Sequence, residues 1–415
     1  MTVQRKSVIL IGGGPAGLAA AVSLCKQGIT DILVIEREHE LGGILRQCIH
    51  DGFGLTRFQE SLSGPEYAAR FIDEIKRLDI ETVTDTTVIT LTPDKTVVAM
   101  SASGQVVYEA KAVILTLGCR ERTRGAIRIP GTRPAGIYTA GVAQAYMNLK
   151  NLMVGREIVI LGSGDIGLIM ARRMTLEGAH VQGVFEIQPY ASGLPRNIEQ
   201  CLHDYQIPLH LSHTVTNIRG RQRLEGVTVS QVDGQFTPIP GTERDYACDT
   251  LILSVGLIPE NELSSMAGVV LDPRTHGPVV DEHYQTNVEG IFAAGNVLHV
   301  HDLVDFVSLE AEQLADAVAG YLAHGRTSGD LIPVQTDHNL GYTVPQHISG
   351  DADFTLSLRV KTPMRNCRIA VMQGDATLKT AKRIKAIPAE MIHIPVKRAQ
   401  LVSREPIKVV VTHDE

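Results

Sequence analysis

At 415 residues the chain exceeds what one ordinary core accommodates, so two or three domains are expected. Its 44% hydrophobic and 20% charged residues and net charge of −7 are those of a globular protein, and no concentrated basic stripe points to nucleic acid. No apolar stretch reaches the ~18 to 20 residues of a membrane span, and a cytoplasmic location is expected.

Charge is uneven along the chain. Residues 1–330 carry 27 Lys and Arg against 38 Asp and Glu, whereas residues 331–415 carry 12 against 8, which marks the tail as a separate unit. The cysteines, Cys25, Cys48, Cys119, Cys201, Cys248 and Cys367, are never closer than 23 residues, so there is no local CxxC pair, zinc knuckle or iron–sulfur run. Isolated reduced thiols are expected.

In chain order, the first signal is SVILIGGGPAGLAAAVSL at residues 7–24: a β-branched strand, a glycine turn and an apolar stretch of helical period. Gly12 permits the tight turn, Gly14 lets backbone approach a pyrophosphate, and Gly17 lets helix pack on strand, with Pro15 and Ala16 in the first helical turn. Phosphates would rest on the helix N-terminus, whose N–H groups lack intrahelical partners. Such a unit asks for an acid at the end of the next strand, and ILVIERE supplies Glu36, 19 residues after Gly17 and followed by Arg37. A second copy follows. EIVILGSGDIGLIMARRM at 157–174 sets Gly162, Gly164 and Gly167 around Asp165 and Ile166, and VQGVFEI supplies Glu186 at the same offset of 19. Two such loops predict two bound dinucleotides, and a protein with two dinucleotides moves hydride or electrons between them. Glu186 is followed by Ile187 and Gln188 rather than by an arginine, which favours NAD(H) over NADP(H).

Further along, HLSHTVTNIRGRQRLEGVTVSQVDGQFTPI at 210–239 alternates as strands. VLHVHDLVDFVSLEAEQLADAVAGYL, from residue 297, passes from a loop into an amphipathic helix of four turns or more. Residues 322–345 read as a linker, and beyond them DFTLSLRV, CRIAVMQ, EMIHIPV and IKVVV alternate with period two. Lys379, Lys382, Arg383, Lys385, Lys397 and Arg398 give that tail a basic face, either a solvated surface or a docking face for a partner subunit.

GGGPAGLAAA, Glu36 with the following Gly42-Gly43, AVILTLG ending at Gly118, CDTLILSVGLIPEN at 248–261 and TNVEGIFAAGNV at 286–297 resemble, in the expected order, the two-dinucleotide flavoproteins related to thioredoxin reductase and the pyridine nucleotide–disulfide oxidoreductases. ELGGILRQCIHDGFGL, LGCRERTRGAIRIPGTRPAGIYTAGVAQ and GNVLHVHDLVDFVSLEAE resemble more closely the FAD-dependent oxidoreductases that accompany anaerobic-type glycerol-3-phosphate dehydrogenase. More distant likeness is to flavoprotein subunits of opine and amino-acid dehydrogenases.

The resemblance implies an α/β fold with two Rossmann-like domains of the three-layer ββα type, the NAD domain inserted in the FAD domain, and a small C-terminal β-rich domain. The FAD domain is expected at 1–120 and 286–328, the NAD(P) domain at 121–285 and the β-rich domain at 329–415. FAD and NAD are the implied cofactors, and a nicotinamide coenzyme and a companion redox or dehydrogenase subunit the implied partners. Gly295-Asn296 stands where the family has Gly-Asp against the ribityl chain; an amide oxygen still accepts a hydroxyl.

The family directs the N-terminus of the following helix at the flavin N1–C2=O edge. His299, His301, Asp302 and Asp305 are then candidates for proton handling or substrate contact, against the plainer reading of a capped helix start and a satisfied loop. Two imidazoles with no further clustered ligand fall short of a metal site. Cys48 and Cys119 are candidates to border the flavin, with a redox role open to either and Cys48 a catalytic candidate, against the plainer reading of small apolar fillers. The leading function is an NADH:acceptor flavoenzyme. One alternative is the flavoprotein subunit of a substrate dehydrogenase, glycerol 3-phosphate first, favoured by Leu168-Ile169 where hydride-accepting relatives often carry a glutamate. Another is a non-catalytic FAD-binding scaffold.

Overall fold

The computed structural model describes residues 3–325 and 330–413, so four residues of the expected linker, 326–329, lie outside the described residues. The chain forms two compact units, Met1–Cys119 with Pro259–Glu415, and Arg120–Ile258. Among the described residues no helix is long and apolar enough to cross a membrane.

In the first unit, strands Glu81–Val83, Ile32–Ile35, Val3–Ile11, Gly104–Leu115 and Ile291–Ala293 lie parallel in that order. The long strand Gly104–Leu115 also carries an antiparallel pair, Thr96–Ser101 and Thr87–Leu91. Because side chains alternate across a strand, the parallel sheet buries two faces. Val8, Leu10, Ile32, Val34, Ala112 and Ile114 meet the helices Pro15–Lys26, Gly64–Arg77 and Val304–His324. Ile9, Ile11, Leu33, Ile35, Val113 and Leu115 meet the antiparallel layer through Leu91, Val97 and Ala99. These are the three layers the resemblance implies.

The second unit repeats the plan. Strands Ile137–Thr139, Thr250–Leu253, Glu157–Leu161, His180–Glu186 and Leu209–Leu211 are parallel, with the antiparallel set His213–Gly220, Leu224–Gln231 and Arg244–Tyr246 beside them. The strand pattern read at 210–239 is present.

Two expectations need correction. Residues 259–285 lie with the first unit, where Leu263, Ala267, Val269 and Val280 are buried in the core between the parallel and antiparallel layers. The supposed linker contains two strands: Ile332–Thr336 pairs with Ile407–His413, and Leu340–Val344 with Phe354–Val360. Pro333 and Gly341 lie within these strands, and Asp337 makes the tight turn between them, accepting the N–H groups of Asn339, Leu340 and Val411. The C-terminal region thus holds a five-stranded and a three-stranded sheet around one core of Leu356, Leu358, Ile369, Val371, Ile394, Val409 and their neighbours.

The helix Val304–His324 is fixed at its start by Asp305, which is buried and accepts N–H bonds from Gly54 (3.0 Å), Thr56 (2.9 Å) and Arg57 (2.7 Å). Arg57 adds an ion pair to Glu312 at 2.7 Å. Asp305 therefore anchors the loop after the Gly42-Gly43 turn and does not cap its own helix, whose N-cap is Leu303. Asp305→Ala leaves three N–H groups without their acceptor, and urea unfolding should show a loss of about 2 to 4 kcal/mol.

Candidate functional site

Each glycine turn follows from steric exclusion. Gly12 has φ +111°, and a Cβ there would lie 2.4 Å from the Thr116 carbonyl oxygen; a Cβ at Gly17 would lie 2.0 Å from the Gly12 carbonyl. The Thr116 hydroxyl donates to the Ile11 and Gly12 carbonyls, tying the turn to the strand ending AVILT. Gly14 is the N-cap of Pro15–Lys26 and offers no side-chain acceptor, so the first-turn N–H groups, with Ala16 among them, are available to a phosphate. Glu36 is buried, accepting from Gly13 N at 2.7 Å and Glu38 N at 2.8 Å. Gly42 donates to the Gly13 carbonyl, and a Cβ on Gly43 would come within 3.0 Å of Gly14 Cα, so Gly42 and Gly43 lie against the first turn. Arg37 is exposed, with its neighbour Glu38 at 4.0 Å.

Gly295, at φ +77°, sits where a Cβ would be 2.9 Å from Ala16 Cβ, so the Gly295-Asn296 turn closes on the same helix start. Asn296 Oδ1 accepts His301 N at 3.0 Å, and Asn296 Nδ2 donates to Cys119 Sγ at 3.7 Å. Gly118, at φ +71°, accepts from Glu260 N. The first glycine turn, Glu36 and Asn296 thus lie around one helix N-terminus, and this set of groups fits FAD.

His299 and His301 come together on a residue that the sequence reading passed over. Glu310 Oε2 lies 2.8 Å from His299 Nε2 and 3.3 Å from His301 Nε2, and Glu310 Oε1 accepts Gly295 N at 2.7 Å. Burial pushes the Glu310 carboxyl up, but the imidazoles and their hydrogen bonds pull it well below the usual range, so it is ionised. Burial lowers His299 to about 4, and that ring is neutral at pH 7. The count of two imidazoles without a third ligand therefore needs correcting: Glu310 is the third group, within 4.8 Å, and it is engaged as a hydrogen-bond acceptor. A signal existed in the sequence, since Asp305 and Glu310 lie among the apolar residues Val307, Ala311 and Leu314 that the helix buries. Asp302 turns outward to the C-terminal region, accepting Met391 N at 3.3 Å.

Cys48 donates to the Ile44 carbonyl, and burial pushes its thiol up to about 12, so it carries no thiolate at neutral pH. All six cysteines are free.

The second turn repeats the first with different partners. Gly162 has φ +94° and its Cβ would lie 2.1 Å from the Ser254 carbonyl oxygen, while Gly167 N donates to Ser254 Oγ. Gly164 caps the helix Asp165–Leu176 without a side-chain acceptor. Glu186 is buried and accepts from Ser163 N, Ser163 Oγ, Ser192 Oγ and Gln188 N, all within 2.9 Å. Asp165 accepts Leu194 N and Asn197 Nδ2, so the segment from 188 to 197 folds over the turn, with Ile166 half-buried beside it. Ser163, Ser192, Asn197 and Ser254 carried no sequence signal.

A strand–glycine turn–helix with a buried acid, present twice in one chain, defines a two-dinucleotide protein of doubled Rossmann-like fold. Residues 6–319 match the pyridine nucleotide-disulphide oxidoreductase family, and the chain belongs to it. Members bind FAD and NAD(P)H, and the chain is an oxidoreductase of that FAD-dependent kind. It is 27% identical to a thioredoxin reductase of Streptomyces clavuligerus over 294 residues, 71% of this chain and 86% of that protein. It is 25% identical to one of the opine oxidase subunits of Agrobacterium tumefaciens over 351 residues, 79% of this chain and 66% of that one. It is also 26% identical to hydrogen cyanide synthase subunit HcnB of Pseudomonas protegens, over 63% of this chain and 58% of that one. In fold it is similar to the thioredoxin reductase of T. acidophilum, with a TM-score of 0.63 at 22% identity, covering 76% of this chain and 98% of that one.

The neutral His299 makes a pH prediction. Its folded value of about 4 lies below the ordinary 6.5, so its contribution to stability is complete above pH 6.5 and is lost as pH falls toward 4. His299→Gln keeps a donor toward Glu310 but does not titrate. Between pH 7 and pH 5 the parent should lose ~2 kcal/mol of unfolding free energy relative to this variant in urea titrations. Asp281, raised by burial to about 6, acts in the opposite sense but is common to both proteins.

Proposed function

We propose that the chain takes electrons from NADH onto bound FAD and passes them to a companion subunit or small acceptor in the cytoplasm. The observation that carries this reading is the repeated turn: two glycine loops of the same geometry, each with a buried glutamate at the same offset. FAD, when bound, accepts a hydride from a nicotinamide and releases electrons singly or in pairs. The chain's own groups bind and orient. The N-terminus of Pro15–Lys26 would hold the pyrophosphate, Glu36 the ribose and Asn296 the ribityl chain, and the helix that starts at Val304 would offer its positive end to negative charge on the flavin. Glu186 suits a free 2′-hydroxyl, and neither Ile187 nor Gln188 offers a cation to a 2′-phosphate. A dithiol relay has no basis here, since Cys48 is held as a thiol.

A second reading is favoured by Leu168-Ile169 and by the segment over the second turn: a dehydrogenase subunit fed by substrate, glycerol 3-phosphate first, with a weak NAD site. The opine oxidase relative and HcnB are themselves named as subunits, which supports a companion chain under either reading.

Anaerobic stopped-flow mixing of the yellow protein separates the two. NADH should bleach the flavin faster than NADPH, and glycerol 3-phosphate should leave it oxidised. Gly162→Ala, whose Cβ meets the Ser254 carbonyl, should keep the yellow colour and lose reduction by NADH by at least tenfold. Bleaching by glycerol 3-phosphate alone, untouched by that substitution, would establish the second reading.

A further inference from the structure

The family match ends at residue 319, yet the C-terminal region lies directly on the loop between the Gly295-Asn296 turn and the helix Val304–His324. Its reach there is systematic. The Tyr342 ring stands edge-on to His299 at 6.0 Å, Met391 N donates to Asp302, and the His393 ring lies 4.8 Å from Phe306.

Arg359, on the strand Phe354–Val360, is the centre of this contact, and its side chain is 15% exposed. Nη2 donates to the Val300 carbonyl at 3.1 Å and lies 3.5 Å from Asp302 Oδ1. Nη1 donates to the Pro388 and Ala389 carbonyls at 2.8 and 2.6 Å, and Nε to the Tyr342 hydroxyl at 3.2 Å. All three guanidinium nitrogens are engaged, chiefly with neutral carbonyls. A planar, rigid fork is suited to fixing the relative position of several backbone segments, and lysine cannot reproduce it.

The loop so gripped has a second side. His299 and His301 turn inward to Glu310, and His301 N donates to Asn296, the residue assigned to the ribityl chain. Resting on the FAD reading above, we propose that Arg359 is a positioning residue of the flavin site, by which the C-terminal region sets the loop 299–303 and, through it, Asn296, His301 and the start of the following helix. The C-terminal region is on this account part of the cofactor site and not an appended module.

The test uses the full chain with Arg359→Met, which keeps length and loses the fork, Arg359→Lys, which keeps the charge, and Val409→Ala, which opens the core of the same region from the five-stranded sheet, the one that does not carry Arg359. Urea stability, FAD affinity by flavin fluorescence and the flavin midpoint potential are measured for each. Arg359→Met should bind FAD at least tenfold more weakly. It should also lower the midpoint potential by about 30 mV, the equivalent of a tenfold loss of preference for the reduced, more negative cofactor when a buried cation is removed. Arg359→Lys should fall between it and the parent, and it keeps the test decisive if the methionine variant does not fold. Val409→Ala should lose stability with affinity and potential unchanged. Parental affinity and potential in both Arg359 variants, or equal shifts in Val409→Ala, would overturn the proposal. A parent chain that takes up no FAD would overturn the FAD reading and the proposal with it.

Discussion

A carbonyl oxygen 2.0 Å from where a Cβ would stand at Gly17 is the constraint on which the first unit depends. It forces strand and helix so close that the helix N-terminus comes to the end of the parallel sheet, where backbone N–H groups and not side chains face a ligand. Everything else in that half of the site closes on this point. The Gly42-Gly43 turn approaches Gly14 from one side and the Gly295 turn approaches Ala16 from another, and a side chain at Gly43 or Gly295 would be strained by its positive φ and would force its neighbour to shift. Three segments distant in sequence thus share one helix start.

The second unit satisfies the same constraint and uses the space around it differently. Thr116 and Ser254 occupy equivalent places in AVILTLG and TLILSVG, each supplying the carbonyl that excludes a Cβ and a hydroxyl that clasps the turn. Beyond that the copies diverge. Glu36 is held by two backbone N–H groups, whereas Glu186 accepts four bonds, two of them from Ser163 and one from Ser192. Glu186 is bound into its own loop, and a ligand hydroxyl would compete with existing hydrogen bonds. The asymmetry follows from hydroxyl side chains at 163 and 192 that the first copy lacks.

Local features were legible in the sequence. Both turns, both acids and the alternating tail follow from patterns contained within a few tens of residues, and the three-layer plan from the family resemblance those patterns carry. What escaped was formed by partners far apart: Asp305 with the N–H groups of 54–57, Glu310 with Gly295 and two imidazoles, Arg359 with Val300 and Asp302. Composition misled at residues 332–344, because Pro333 and Gly341 are accommodated within strands and Asp337 marks a tight turn between strands as readily as it would mark a linker. The inserted unit ends at Ile258 and not at 285 because residues 259–285 bury their apolar side chains under the first sheet, a preference no local pattern encodes.

The buried pair behind the loop 299–303 shows how one environment gives opposite results for two groups. Burial opposes charge on both Glu310 and His299. Glu310 overcomes it because donors converge on its two oxygens: Gly295 N on one, His299 and His301 on the other. His299 does not, because a single carboxylate contact is set against full burial, the neighbouring His301 and the Arg359 cation. The outcome is a fixed negative charge under the Gly295 turn, with a neutral imidazole beside it and a buried cation on the far side of the loop. A charge arrangement of this kind is set when the chain folds, so it needs no reorganisation when charge changes at the neighbouring cofactor site. It depends on the loop being held from both sides, by Glu310 within and by Arg359 without.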